Sequence, residues 1–347
     1  MKVLFLYSEV MSYTSATLRE LSARGVEVVV VSWDKNKLTP YQAPSNQAIT
    51  NYKRSKLSTQ EIVQLAKEFN PDVTVVSGWQ DPAYLVAAFT LRLRRKKVVS
   101  GFDGQRSSSW KHLLGAFLGC LGVFKLFFSH AWIPGARQYE FAAMLGYRKS
   151  DVIFDLYSCD TELFKSHVAS PSGLRSIPHK FIFVGRLEHS KGIDYLLDAW
   201  SNLGTRRRDW TLSIIGSGSM ESRIQEHLNS LNLIQFLEPP ELADQFRSHG
   251  CLILPSRFEP WGVVVHEAAC TGLPLLLSDQ VGASSALLIA GFNGYSFKSG
   301  SVEAIEEAMI KIIESSDTDL MDMGVASEAL SRRISPETSA SNLVSLA

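Results

Sequence analysis

Short runs of apolar, largely β-branched residues alternate along the chain with stretches whose apolar positions recur at helical spacing. Lys2–Tyr7 reads as a buried strand, and Ala16–Ala23 as a short helix with Leu18 and Leu21 on one face. Glu27–Ser32, nearly all valine, is a second strand. Gln60–Phe69 sets Ile62, Leu65, Ala66 and Phe69 on one helical face before Pro71. Asp72–Ser77 and Lys97–Ser100 are further strands, with a helix over Tyr84–Leu93 between them. The second half repeats this grammar. After a strand at Phe181–Val184, Ile193, Leu196, Leu197 and Trp200 recur at i, i+3, i+4 and i+7, an amphipathic helix. Thr211–Ile215 leads into Gly216-Ser217-Gly218 and another helix, and Gln235–Leu237, Cys251–Leu254 and Pro274–Leu277 continue the series. Strands alternating with helices predict an α/β fold of parallel sheets covered on both faces. Two doubly wound, Rossmann-like domains in tandem place ligands at the carboxyl ends of strands, in the cleft between them.

A chain of 347 residues has room for two cores, which fits this reading. The Ser- and Pro-rich stretch His167–Pro178 marks the boundary. The expected division is an N-terminal domain over 1–165, a C-terminal domain over 166–325, and a helical segment over 326–347 packing back toward the first. Cys120, Cys159, Cys251 and Cys270 are scattered, fit neither a zinc pattern nor a disulfide framework, and suit a reducing cytosol. The apolar run after Met1 is too short for a signal peptide, and no run reaches the roughly 20 residues of a spanning helix. The formal net charge of zero hides a division. Residues 1–150 carry 20 Lys+Arg against 10 Asp+Glu, and residues 151–347 carry 15 against 25. A basic half suits nucleic acid, an anionic membrane or a phosphorylated acceptor; equally, two domains of opposite sign simply attract one another.

The strongest chemical signal is Pro255-Ser256-Arg257-Phe258-Glu259-Pro260-Trp261-Gly262, between a strand ending near Leu254 and a helix stopping at Gly272. Gly262 permits close approach of backbone to a ligand, and the free N–H groups of the next turn form an anion site. Glu259 and Glu267, with seven residues between them, suit the hydroxyls of a sugar and a ribose; solvated helix glutamates are the bland alternative. Gly185-Arg186, at the end of a strand, and Lys191, opening the next helix, have the makings of a diphosphate clamp. A lone strand-end arginine is more often a structural ion pair, but the joint spacing of Arg186, Lys191, Glu259 and Glu267 argues for a site.

These segments resemble the retaining glycosyltransferases of family 4, which have the GT-B fold of two facing Rossmann-like domains. The G-R-x-x-x-x-K stretch matches Gly185, Arg186 and Lys191, and the E-x7-E element matches Glu259 and Glu267, with Trp261 where phenylalanine is usual. The resemblance is close over residues 180–300 and only architectural across the N-terminal half. It implies that Arg186 and Lys191 hold the donor diphosphate and that Glu267 takes the ribose hydroxyls. Glu259, with the amides of Trp261, Gly262 and Val263, positions the donor sugar. It also implies transfer from a UDP- or GDP-sugar to a hydroxyl of a lipid-linked or saccharide acceptor, in glycolipid or polysaccharide assembly. The nucleotide sugar is a co-substrate; no cofactor and no metal are expected, and Asp317-Thr318-Asp319 is read as a decoy for a metal motif. Two departures stand out. Ser8–Ala16 has no glycine where the family often has a Gly-Gly loop, and Gly101-Phe102-Asp103-Gly104 stands where a histidine is common. Asp103 either takes that catalytic place or is a turn residue of an Asp-Gly pair. Alternatives within the fold are a sugar phosphorylase or a nucleotide-sugar epimerase; outside enzymes, a non-catalytic nucleotide-sugar-binding protein.

Arg92, Arg94, Arg95, Lys96 and Lys97 cluster, followed by Arg106 and Lys111, and Leu113–Phe124 then runs twelve residues without charge. Gly115, Gly119 and Gly122 recur there at helical spacing. One reading is a core helix whose glycines allow close packing. The other is an interfacial segment on an anionic membrane, which makes the expected location cytoplasmic and peripheral to the membrane. Nucleic acid is not expected, because the cluster lacks an aromatic-interleaved or helix-turn-helix context.

Overall fold

The structure is a computed structural model that describes the chain except residues 36–39, 42, 44–45, 107–109 and 167–176, and the side chains of 111–113. Most of the boundary stretch His167–Pro178, and the side chain of Lys111, therefore lie outside the described residues. Met1–Ser158 with Ile334–Ala347 form one unit, and Cys159–Arg333 the other.

In the first unit β1 (Lys2–Tyr7), α1 (Ser12–Ala23), β2 (Glu27–Ser32), β3 (Ile49–Lys53), α2 (Thr59–Phe69), β4 (Val73–Ser77) and α3 (Pro82–Leu93) are followed by β5 (Lys97–Gly101). Then come α4 (Trp110–Cys120), α5 (Val123–Phe127), β6 (His130–Trp132), α6 (Ala136–Met144) and β7 (Val152–Ile153). The sheet runs β3-β2-β1-β4-β5-β6-β7, every pair parallel. Alternation along β1 divides the core. Leu4 and Leu6 pack with α2 and α3 residues such as Ile62, Ala66 and Ala87, while Val3, Phe5 and Tyr7 face Leu18 and Leu21 of α1 on the other side. Helix ends follow their local chemistry. Ser58 and Glu61 form a capping box on α2, and Asp81 caps α3 ahead of Pro82. Helix α1 begins at Ser12, not Ala16, so the glycine-free stretch after β1 is mostly helix.

The second unit comprises β8 (Lys180–Val184), α7 (Ile193–Leu203), β9 (Thr211–Ile215), α8 (Glu221–Gln225), β10 (Asn232–Ile234), α9 (Pro239–Arg247) and β11 (Cys251–Leu254). It continues with α10 (Val263–Cys270), β12 (Leu275–Ser278), α11 (Ser284–Leu287), β13 (Gly294–Phe297), α12 (Val302–Glu314) and α13 (Asp317–Ser331). The order β10-β9-β8-β11-β12-β13 puts the topological switch between β8 and β11, where the ligand crevice of an open parallel sheet lies. The strand expected at Gln235–Leu237 lies three residues earlier: Ile234 pairs with Ile215, and its carbonyl already takes the amide of Gly216. Asp317-Thr318-Asp319 opens α13. Asp319 completes a capping box with Ser316, and Asp317 accepts from His179 at 3.2 Å.

The chain ends in α14 (Pro336–Val344), which belongs to the first unit. There Ala340 and Leu343 join the core beside α1, Ser339 Oγ donates to the Asp155 carbonyl at 2.6 Å, and Arg24 donates to Ser341 Oγ at 2.7 Å.

Candidate functional site

The carboxyl ends of β8 and β11 deliver most of the expected residues to one place. Past Val184 the Gly185 amide donates to the Ile215 carbonyl at 3.0 Å, and that of Leu187 to Ser217 at 2.9 Å. These bonds clamp the turn after β8 against the turn after β9. Arg186 stands between them, exposed, with no ion pair among the described residues. A single 3₁₀ turn, His189–Lys191, follows and ends at Gly192 in the left-handed region (φ 67°). The next loop is stitched to it, because the Arg257 amide donates to the Ser190 carbonyl at 2.8 Å.

This docking brings Lys191 Nζ onto Glu259 as an ion pair, with both side chains mostly buried. Glu259 is itself fixed: its amide donates to Gln280 at 3.2 Å, and its carbonyl accepts from Gly282 at 2.9 Å. The Trp261 carbonyl accepts from Ala283 at 2.9 Å. The chain then turns through Gly262 (φ 92°) into α10. Among the described residues, the amides of Trp261, Gly262 and Val263 donate to no protein acceptor. A partly buried carboxylate, an ammonium with two donors left over, and a run of open amides therefore converge at one helix start. The Trp261 ring is fully buried, with an unpartnered Nε1.

Glu267 lies just over one turn along α10 and is buried; desolvation pushes its carboxyl up to about 7, against the pull of His266. Asp103 belongs to the other unit, in the irregular stretch after β5. Its charge faces the phenols of Tyr7 and Tyr157, which burial first and Asp103 second hold above their ordinary range. Glu238 caps α9 through a box with Glu241.

Gly192 is the hinge of this construction. A Cβ there would stand 2.2 Å from the Pro255 carbonyl oxygen, and the positive φ is itself unfavourable for other residues. Gly192→Ala is expected to destabilise the protein by about 2 kcal/mol and to swing Lys191 off Glu259. Thermal unfolding with and without UDP checks both effects; an unchanged melting temperature and an unchanged UDP response would show that the turn yields freely.

Several residues at the site escaped sequence reasoning. Arg257 donates to Asp194 at 2.8 Å and lies 4.5 Å over the Tyr195 ring, bracing the loop against α7. The cysteines are scattered along the chain, but Cys159 and Cys270 approach to 3.5 Å between sulfurs, and with His266 their donor atoms lie within 4.8 Å of one another. Their spacing along the chain fits neither a zinc pattern nor a disulfide framework, and it is the fold that brings the three together. The trio has the residue types of a metal site, yet His266 is already committed. Its Nδ1 accepts from the Cys159 amide at 3.1 Å, and its Nε2 donates to the Ser331 carbonyl at 3.0 Å. Ligation would break one of these buried bonds, so the trio is read as packing under α10. The i, i+4 spacing of His266 and Cys270 was a visible signal; Cys159 had none.

Residues 169–327 match the family model of the glycosyl transferases, group 1. Over 146 residues the chain is 29% identical to a glycogen synthase of Mycobacterium tuberculosis, a match covering 40% of this chain and 35% of that enzyme. The chain thus spans about a third of that relative's length. The crystal structure of HepE from Anabaena in complex with UDP superposes with a TM-score of 0.73 at 18% identity, covering 99% of both chains. WaaG, a glycosyltransferase involved in lipopolysaccharide biosynthesis, superposes at 0.68 with 15% identity and 98% coverage of each. The fold, two parallel sheets each wound with helices, is that of the GT-B glycosyltransferases. Among the described residues no helix is long and apolar enough to cross a membrane.

Proposed function

We propose that the protein is a retaining, metal-independent glycosyltransferase that moves a sugar from a nucleoside-diphosphate donor to a hydroxyl acceptor in glycan assembly. The Lys191–Glu259 pair beside the open amides of Trp261, Gly262 and Val263 carries this reading. Glu259 uses one Lys191 proton, leaving two N–H donors for the diphosphate. Together with the Arg186 fork they stabilise charge on the departing nucleoside diphosphate, commonly the largest catalytic contribution. Glu259 and the α10 amides orient the sugar, and Glu267 receives the ribose hydroxyls. HepE, of like fold, is described in complex with UDP, which supports UDP over GDP as the first donor to try.

The test incubates the protein with labelled UDP- and GDP-sugars, in chelator, with and without a membrane extract. Acceptor-dependent release of nucleoside diphosphate and a product with retained anomeric configuration are expected. Binding without release would favour a non-catalytic sugar-nucleotide binder, and release that needs inorganic phosphate a phosphorylase. In the same assay Asp103→Asn is expected to lower turnover at unchanged UDP binding; normal turnover removes Asp103 from the chemistry.

A further inference from the structure

Helix α4 has two apolar faces, and one of them is packed against α6. Gly119 meets the end of α6 backbone to backbone: a Cβ there would lie 2.6 Å from the Met144 carbonyl oxygen. The close-packing reading of the glycines therefore holds for that face. The other carries Trp110, Leu114, Phe117 and, just past the helix, Leu121 at i, i+4, i+7 and i+11. Trp110 is 69% exposed, Phe117 61% and Leu121 63%. Leu126 of α5, with Val86, Phe89 and Leu93 of α3, extends the exposed surface, and Phe89 touches Phe127 with ring centroids 5.8 Å apart. A stripe of this kind is uncommon on a lone soluble chain and marks an interaction surface.

The charges around it select the partner. From residue 82 to 139 the chain has nine Lys and Arg and a single acidic residue, Asp103. Arg94 and Arg95 form the turn that follows Leu93, and both are exposed. Beneath Leu114 lies an apolar depression of about 500 Å³, lined by Trp79, Leu85, Leu118, Phe124, Phe127 and Leu145. An apolar stripe with a tryptophan at its end, a basic border and no acidic counterpart on α3, α4 or α5 is the chemistry of an anionic bilayer surface.

We propose that this face docks on anionic phospholipid, with Trp110, Phe117 and Leu121 in the acyl region, Arg94 and Arg95 at the phosphates, and one acyl chain entering the depression. Docking does not depend on the donor site, so its test needs no turnover. The wild-type protein is floated with vesicles of phosphatidylcholine alone or mixed with phosphatidylglycerol. Binding to the anionic vesicles is expected, falling at least tenfold for Phe117→Asp with Leu121→Asp, and by about thirtyfold or more for Arg94→Glu with Arg95→Glu. Doxyl-labelled acyl chains are expected to quench a tryptophan emission that Trp110→Phe removes. Thermal unfolding of the variants, without added ligand, reports their folding separately. Equal recovery with and without vesicles overturns the proposal, as does quenching indifferent to Trp110. A self-associating wild type made monomeric by Phe117→Asp would assign the face to a second copy of the chain instead.

Discussion

Replacing Lys191 by methionine is expected to lower sugar transfer by about 10²–10³-fold and to destabilise the protein by about 3 kcal/mol. The two losses have different origins. Without its ammonium, the Glu259 carboxylate is left unpaired in a mostly buried place, which is where the stability goes. The turnover goes because the departing diphosphate loses a charge. Glu259→Gln in the same chain removes the stranded carboxylate, so the double variant recovers much of the melting temperature. It does not recover transfer, because neither the cation nor the sugar-facing carboxylate returns. Measuring thermal unfolding and donor turnover for both single variants and the double variant separates the roles. A Lys191→Met enzyme within a few-fold of wild-type turnover would reduce the pair to a structural ion pair.

That pair also shows where sequence reading stops. The motif residues were legible because they follow the loud apolar strands β8 and β11 at set spacings, but the bond joining positions 191 and 259 is made by the fold. The Arg257 amide on the Ser190 carbonyl and the bare side of Gly192 leave no trace in spacing. The central strands were legible for a simple reason: β1, β2, β4, β8 and β11 are buried runs with little else to become. The edges were not. In β3 only Ile49 is buried, so Ile49–Lys53 has no apolar signature and exists because β2 offers it a partner. For β10, Leu231–Leu237 is apolar enough to allow several registers, and the end of β9 at Gly216 chooses among them. Helix α1 begins with Ser12-Tyr13-Thr14-Ser15, poor helix formers by propensity. Burial of Thr14 and Ser15, and the Tyr13 ring 4.8 Å from Tyr157, overrule that preference. In the Leu113–Phe124 run the structure separates two faces that the sequence left together. The glycine face is packed and the aromatic face is exposed, a distinction that composition alone does not make.

Glu267→Gln is expected to make the ligand-free protein more stable at pH 8 and its nucleotide-sugar complex weaker. Burial raises the Glu267 carboxyl from the ordinary 4.5 to about 7 in the folded chain. Between those values the folded state keeps a proton that the unfolded chain has released. Stability from this group is therefore greatest in acid, falls as pH rises through the window, and is lowest above it, by an amount on the order of 3 kcal/mol. The charged neighbours of Glu267, His266 and Cys270, are both kept in the variant. Glutamine carries no proton to lose, so its melting temperature should vary less between pH 5 and 8 than that of the wild type. The same change exchanges a charged acceptor of two hydroxyl bonds for a neutral amide, which costs binding about 1.5–3 kcal/mol. A binding site that keeps a buried carboxylate ionised does so against its own stability, and a bound diol is what offsets the strain. Melting curves across pH and UDP-sugar titrations of both proteins test the two halves together. A variant less stable at pH 8 with the wild-type slope intact would mean the carboxylate is paired in the folded state, and unchanged affinity would take the ribose away from Glu267.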